Sequence, residues 1–219
     1  MTTPLVDQTL GQLASQIPGA TRLFRNHRLD FCCGGDQSLR HAASVLGLDA
    51  EQLAERLAEI SRQPSQDTDW NEQPTAALIA HILTRYHARH RQQLEELTRL
   101  ADRVEQVHGV NPACPRGLGD FLKVLSEELD NHMQKEEQVL FPMLEQGYGA
   151  MADGPISVMR YEHDQHGDAL ERLLELSHGL QLPEHACNTW RALYRGLEEL
   201  HDDLMQHIHL ENNILFLRQ

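Results

Sequence analysis

The residues best suited to chemistry in this sequence are two histidine–glutamate pairs with the same spacing. His132 and Glu136 lie in the segment NHMQKEEQVLFP, and His207 and Glu211 lie in the segment HIHLENNILF. On an α-helix, residues four apart lie on one face with their Cβ atoms about 6 Å apart, so each pair can bind one metal centre. Of the 14 histidines, only these two have a carboxylate four residues later. The repeat therefore predicts two pairs of metal ligands.

Four long amphipathic helices are predicted to position these pairs. Apolar residues recur at helical spacing, and proline and glycine separate the segments. The predicted helices span residues 75–107, 118–146, 154–178 and 184–216. Their short connections favour an all-α, antiparallel, up-down-up-down four-helix bundle. Pro142 is expected to bend the last turn of the second helix.

Two single histidines are predicted to complete the site. His132 lies about 45 residues after His87, and His207 lies about 44 residues after His163, so both halves of the bundle share one spacing. At about 1.5 Å of rise per residue, His87 and His132 also fall at comparable heights. The predicted ligand set comprises His87, His132, Glu136, His163, His207 and Glu211.

The chemistry of this set favours iron, with manganese next. An isolated histidine–glutamate pair is usually a surface ion pair, but two copies at matched intervals argue for metal binding. Two glutamates shared between two metals, with two imidazoles on each, leave open positions for water, an oxo bridge or a small molecule. The set contains no thiolate, which argues against structural zinc. We therefore predict two non-haem irons in an oxo- and carboxylate-bridged centre.

Other polar residues close to the ligands in sequence are candidates for supporting roles. Glu128 and Asp203 lie four residues before the paired histidines, and Glu162 directly precedes His163. Such carboxylates can orient imidazoles or relay protons, although exposed helix charge explains them almost as well. Glu128 and Glu162 are the candidate proton relay. Further histidines are predicted on other helical faces, in solvent or behind the ligands: His81, His90, His166, His201 and His209.

The first 62 residues are predicted to form a small helical domain with a cysteine turn. Its short helices are predicted near residues 7–17, 18–27, 38–46 and 49–62. Cys32 and Cys33, in the segment LDFCCGGD, precede two glycines that allow a tight, exposed turn. The two thiols could serve a transient metal or redox contact, or they could simply fill a cramped turn. The polar, proline-bounded segment 63–74 is the predicted linker to a bundle domain at 75–219.

The composition excludes several classes of partner. The chain has 19 basic and 33 acidic residues, and its net charge of −14 opposes binding to nucleic acids or anionic lipids. No apolar run approaches the roughly 20 residues that span a bilayer, and a charged segment followed by an apolar core is missing at the N-terminus. Four cysteines, two of them adjacent, do not form a disulfide framework. We therefore predict a cytoplasmic protein with reduced thiols and no nucleic-acid or membrane partner, and the oligomeric state, a homodimer included, stays open.

The motifs taken together resemble those of a known family. The segment LDFCCGG followed by HMQKEEQVLFP, GPISVMRYEHD and LENNILF is similar to the iron-sulfur cluster repair di-iron proteins of the YtfE/ScdA type, which have a hemerythrin-like bundle. The resemblance covers nearly the whole chain and implies a bacterial protein that restores iron-sulfur clusters damaged by oxidative or nitrosative stress. It also implies that the six predicted ligands bind iron. Leu217, where related sequences tend to have proline, departs from the pattern but lies beyond the ligands.

Three activities are compatible with this resemblance, so the sequence leaves open whether the protein is an enzyme. The first is supply of iron to damaged iron-sulfur proteins, with Cys32 and Cys33 assisting as a transient acceptor or partner contact. The second is reduction of nitric oxide to nitrous oxide, with Glu128 or Glu162 delivering protons. The third is binding of O2 or NO, as in the hemerythrins. Those typically use five histidines, whereas four are predicted here, which favours reactivity over simple reversible binding.

Overall fold

In the computed structural model, which describes residues 3–64 and 68–218, the chain is helical throughout its regular structure. The predicted all-α fold, an up-down-up-down four-helix bundle with a small N-terminal helical domain, is confirmed. The small N-terminal helices are α1 (Leu10–Gln16), α2 (Ala20–Asn26), α3 (Leu39–Val45) and α4 (Ala50–Ser61). The long helices are α5 (75–108), α6 (118–145), α7 (Asp153–Leu176) and α8 (Asn188–Asn213). Residues 65–67 of the predicted linker lie outside the described residues.

The chain divides into two compact units. The first comprises Met1–Leu78 together with Met205–Gln219, and the second comprises Ile79–Leu204. The first unit thus includes the C-terminal residues of the chain as well as the N-terminal helices. The predicted domain boundaries stay a prediction.

The short N-terminal helices begin at residues whose side chains satisfy free backbone N–H groups. Thr9 accepts from the Gln12 N–H in a capping box, Ser38 accepts from the His41 N–H, and Asp49 caps α4 in the same way. Phe24 and Phe31 are fully buried in this unit, with ring centroids 6.0 Å apart. Capping and apolar burial therefore define short helices that propensity alone would leave marginal.

Two of the long helices contain a π-helical segment. In α5 this segment is Ile82–His87, and in α6 it is Glu136–Leu140. A π-helical segment accommodates an extra residue and is frequent at functional sites. Pro142 follows the second segment, and because proline has no N–H, the α-helical hydrogen-bond pattern is interrupted there in any case. The helix nevertheless continues through Pro142 to Glu145.

The predicted ends of α8 were wrong by a few residues. The helix begins at Asn188 rather than near residue 184, because Ala186 donates to the Pro183 carbonyl in a preceding turn. It ends at Asn213, and a 3-10 turn, Leu215–Leu217, follows. Phe216 is buried in this turn, whereas Leu217 is exposed, so the departure at Leu217 falls on a solvent-facing position.

None of the helices in residues 3–64 and 68–218 is both long and apolar enough to cross a membrane. Even the longest of them carry charged residues along most of their length.

Candidate metal centre

Four of the six predicted ligands lie on α5, α6 and α7 and are buried. His87 is the last residue of the π-helical segment in α5, and Glu136 is the first residue of the segment in α6. His132 lies one turn before Glu136, and His163 lies in the middle of α7. At most 1% of each of these residues is exposed. The irregular turns of the two helices therefore carry predicted ligands.

The Glu136 carboxylate lies between two imidazoles. Its Oε2 is 3.4 Å from His87 Nε2, and its Oε1 is 3.4 Å from His132 Nε2. His163 Nε2 is 3.2 Å from His132 Nε2. Each carboxylate oxygen thus faces a different imidazole, which is the arrangement required of a carboxylate that bridges two metals.

The second predicted pair, on α8, has the expected geometry. His207 Nε2 is 3.1 Å from Glu211 Oε1, and both residues are buried. Within the second unit, ligand atoms of His132, Glu136 and His163 lie within 4.8 Å of one another, and so do those of His87 and Glu136. Glu136 thus belongs to both of these groups.

The chemistry of these groups fits metal cations. Burying two carboxylates is costly unless positive charge compensates them. Glu136 and Glu211 are completely buried, and imidazole Nε2 atoms are within 3.1–3.4 Å of their oxygens. Neutral imidazole and carboxylate are ligands that iron and manganese accept, and a cation between them supplies the compensating charge. The residues present therefore fit iron.

The outer nitrogens of two predicted ligands, His87 and His132, are held by carboxylates. His87 Nδ1 donates to Glu137 Oε1 at 2.8 Å, and His132 Nδ1 donates to Glu162 Oε2 at 2.9 Å. Such a bond fixes the tautomer and orientation of the ring and raises the basicity of the opposite nitrogen. Both rings therefore present Nε2 to the buried carboxylate of Glu136.

Each orienting carboxylate is in turn held by a cation. Arg91 Nη1 donates to Glu137 at 2.9 Å, and Lys135 Nζ donates to Glu162 at 2.5 Å. Burial raises the pKa of Glu137, but the hydrogen bonds from Arg91 and His87 outweigh it and leave that pKa below its usual value. Glu137 is thus a carboxylate at neutral pH.

Glu137, Arg91 and Lys135 were missed from the sequence. Arg91 lies four residues after His87, and Lys135 lies three residues after His132, so helical spacing did place both near predicted ligands. Charged residues at such positions are usually solvated, and nothing in the sequence separates these from the others.

The structure separates the two candidate proton-relay residues. Glu162 contacts the imidazole of His132, a predicted ligand, and 17% of the Glu162 side chain is exposed. Glu128 is exposed on α6. Asp203 forms an ion pair with Arg85 at 2.6 Å and accepts from Gln93 at 3.3 Å. A relay role for Glu128 or Glu162 stays a prediction.

Three of the histidines predicted to lie in solvent or behind the ligands are buried. His90 and His166 are at most 4% exposed, and the His166 ring lies edge-on to the His132 ring at 4.8 Å between centroids. His209 is also buried, and its ring packs against Phe31 at 5.5 Å. Burial lowers the pKa of His209 to about 4, so its imidazole is neutral. His166 thus packs directly behind a predicted ligand.

The cysteine turn is organised by one carboxylate. Asp30 accepts from the backbone N–H groups of Cys32 at 3.1 Å, Cys33 at 3.0 Å and Gly34 at 2.8 Å. The two sulfurs are 3.6 Å apart, with Cys32 buried and Cys33 half-buried. The hydrogen bond to Cys33, burial and the charge of Asp30 raise the pKa of Cys32 well above its usual value. The turn therefore presents a protonated Cys32 beside a more accessible Cys33.

The C-terminal end of α8 holds this turn in place. Asn212 Nδ2 donates to the Cys32 carbonyl, and Asn213 Nδ2 donates to the Phe31 carbonyl, both at 3.1 Å. Asn212 directly follows the predicted ligand Glu211. This link could not be predicted from the sequence, because two asparagines near a helix end usually act as caps.

Comparisons with known proteins find two domain families and close relatives. The model of the hemerythrin HHE cation binding domain matches residues 78–218, and that of ScdA_N, a domain of unknown function (DUF542), matches residues 6–61. The iron-sulfur cluster repair protein YtfE of Yersinia pseudotuberculosis serotype IB (strain PB1/+) is 54% identical over 212 residues, or 97% of this chain and 96% of the relative. The protein of the same name from Yersinia pestis (strain Pestoides F) is 53% identical with the same coverage.

Proposed function

Because the chain belongs to the hemerythrin HHE cation-binding family and is related over 97% of its length to iron-sulfur cluster repair proteins, we propose that it repairs damaged iron-sulfur clusters. The damage that it reverses is oxidative or nitrosative. The protein acts by supplying iron to the damaged protein.

The observation that carries this proposal is the position of Glu136, whose two carboxylate oxygens face His87 and His132. His87 and Glu136 would hold one iron, and His132, Glu136 and His163 would hold the other, with the buried pair His207 and Glu211 as the remaining proposed ligands. When bound, the irons would supply redox-active, exchangeable ions.

The chain's own residues orient and enclose this site. Glu137 and Glu162 hold the outer nitrogens of His87 and His132, so that Nε2 of each ring faces the buried carboxylate. All six predicted ligands are buried, which limits access of water to the metals. Cys32 and Cys33 are proposed to assist iron transfer as a transient acceptor or a partner contact.

A test of iron supply uses protein loaded with isotopically labelled ferrous iron. It is mixed without oxygen with an iron-sulfur enzyme whose cluster has been damaged by nitric oxide. Label in the restored cluster is expected, and restoration without label would contradict iron supply. A Glu136→Gln/Glu211→Gln variant is the control and should restore nothing.

The role of the cysteine turn needs its own variant. A Cys32→Ser/Cys33→Ser protein should keep its bound iron and its absorption spectrum yet lose repair. Full repair by this variant would remove both thiols from the mechanism.

A second candidate function is reduction of nitric oxide, and the position of Glu162 favours it. This carboxylate joins His132 Nδ1 to Lys135, and 17% of its side chain reaches solvent, so it could pass protons towards the site. Nitrous oxide formed by the reduced protein under anaerobic turnover would support this activity. Its absence, together with a stable and reversible adduct of O2 or NO, would favour a binding protein.

A further inference from the structure

A second pair of reactive side chains lies on residues that have no role in the proposed metal centre. Cys187 Sγ is 3.2 Å from His108 Nε2, and both side chains are half-buried. His108 is the last residue of α5, and Cys187 directly precedes the first residue of α8. A thiol within hydrogen-bond reach of an imidazole is the arrangement of an activated nucleophile.

Two contacts hold this pair in position. The His108 ring packs against the buried Trp190, with centroids 5.3 Å apart. The Cys187 carbonyl accepts from the Arg191 N–H at 3.0 Å, which is the first hydrogen bond of α8. The thiol therefore belongs to the residue at the N-terminal end of a helix of 26 residues.

A groove begins at the residues that follow Cys187. Its volume is about 990 Å³, and Asn188 and Thr189 line it together with Arg99 and Arg103 of α5. Asp102 also lines the groove, but Lys123 Nζ lies 3.3 Å from its carboxylate. A groove with two arginines and a helix N-terminus favours an anion. Its size is that of a site for a small molecule or short peptide.

We propose that Cys187 is a modification site that forms a mixed disulfide with an anionic low-molecular-weight disulfide such as oxidised glutathione. The Cys187 thiol gives its proton to His108 Nε2, and its sulfur attacks one sulfur of the bound disulfide. A new sulfur–sulfur bond forms, the original one breaks, and the departing thiolate takes the proton from His108. Cys187 is oxidised and the departing thiol is the reduced product, so no other oxidant is needed.

The other cysteines are less suited to this reaction. Cys114 is 3% exposed, and burial raises its pKa above the usual value. Cys32 is buried as well, and Cys33, although half-buried, lies in the turn organised by Asp30. Cys33 is therefore the competing site that an experiment must distinguish.

The first test needs no variant. The reduced, metal-loaded full-length protein is incubated with oxidised glutathione, digested under acidic conditions and mapped by mass spectrometry. The peptide containing Cys187 should gain glutathione at least about tenfold faster than those containing Cys33 or Cys114. Labelling that is confined to Cys33, or absent from Cys187, would overturn the proposal.

The second test separates the roles of the imidazole and the groove. His108→Gln keeps an amide near the sulfur but cannot accept its proton, so the reaction should slow about 100-fold with oxidised glutathione and with neutral hydroxyethyl disulfide alike. Arg99→Gln/Arg103→Gln should slow only the reaction with oxidised glutathione, about fivefold. Arg172→Gln/Arg195→Gln changes two exposed sites on α7 and α8 outside the groove lining, so it is the charge-matched control and should change neither rate.

An unchanged rate at Cys187 in His108→Gln would contradict the role of the imidazole. Equal slowing of both reagents by the arginine variant would contradict an anion-binding groove. Circular dichroism confirms that each variant is folded, and the wild-type peptide map decides the site of modification even if one variant is not.

Discussion

Glu137 and Glu162 determine which nitrogen of His87 and His132 faces the buried carboxylate of Glu136. His87 and His132 each donate Nδ1–H to one of them, at 2.8 and 2.9 Å. A neutral imidazole has one donor and one acceptor nitrogen, so fixing the donor leaves Nε2 available to a cation. The two carboxylates thus prepare the site before a metal arrives.

We expect Glu137→Gln and Glu162→Gln each to weaken metal binding by about 10- to 100-fold. The amide can hold the ring through its oxygen but no longer carries the charge that raises the basicity of Nε2. Competition with a chromophoric chelator measures the affinity. Glu128→Gln, an exposed position on α6, is the matched control, and an equal loss in that variant would show a non-specific charge effect.

Individual site residues could be predicted from the sequence where a pattern repeated. His132 and Glu136, and His207 and Glu211, were recognisable because four-residue spacing and a second copy distinguish them from ordinary helix charge. The two single histidines were recognisable only because their distances to the pairs match. Glu137 carried no such mark, since its contact with His87 depends on how α5 packs on α6.

Helices α5 and α6 each deviate from regular α-helical geometry in the turns that carry predicted ligands. The π-helical segments Ile82–His87 and Glu136–Leu140 each end or begin at a predicted ligand. Hydrophobic periodicity predicted the long helices well because their apolar faces are continuous. It could not predict the π segments, since one extra residue in a turn leaves no compositional trace.

Gly35 of the cysteine turn lies close to Asn213 at the end of α8 and to the Phe31 carbonyl. A Cβ atom added at Gly35 would lie 2.8 Å from Asn213 Oδ1 and 2.9 Å from the Phe31 carbonyl oxygen. The latter is a backbone atom, so a side-chain rotation cannot relieve the overlap.

We therefore expect Gly35→Ala to destabilise the protein by about 1–3 kcal/mol. Urea unfolding of the metal-free protein, followed by circular dichroism, measures the change. Gly154→Ala is the matched control, because a Cβ atom there meets no atom within 4 Å. It should leave stability unchanged or raise it by up to about 1 kcal/mol. Equal effects of the two substitutions would show that the close approach at Gly35 has no energetic weight.

For the whole molecule, the buried charges link metal binding to stability. Burying Glu136 and Glu211 costs free energy in the metal-free chain, and a cation bound to these carboxylates would offset that cost. Any ligand that binds only the folded state stabilises it by mass action.

Removal of metal by a chelator should thus lower the melting temperature by about 10 °C, as expected for a loss of about 4 kcal/mol in a chain of this size. Thermal scans by far-UV circular dichroism measure the shift, and added ferrous iron should reverse it. An unchanged melting temperature in a protein shown to have lost its metal would contradict this coupling.

The class of fold was predictable from the sequence, since amphipathic helices with short connections permit few arrangements. The membership of the C-terminal residues Met205–Gln219 in the same compact unit as the N-terminal helices was not predicted. That packing depends on contacts between residues about 180 positions apart, such as Asn212 with the Cys32 carbonyl, which no local pattern reports.

The iron content of anaerobically purified protein tests most directly whether two irons share Glu136 and Glu211, as we propose. Elemental analysis should find two irons per chain in the wild type, about one in His87→Ala, and less than one in Glu136→Gln. The last variant differs from the first because the carboxylate belongs to both ligand groups. A wild-type protein with one iron per chain, or with zinc in place of iron, would contradict a shared two-iron centre.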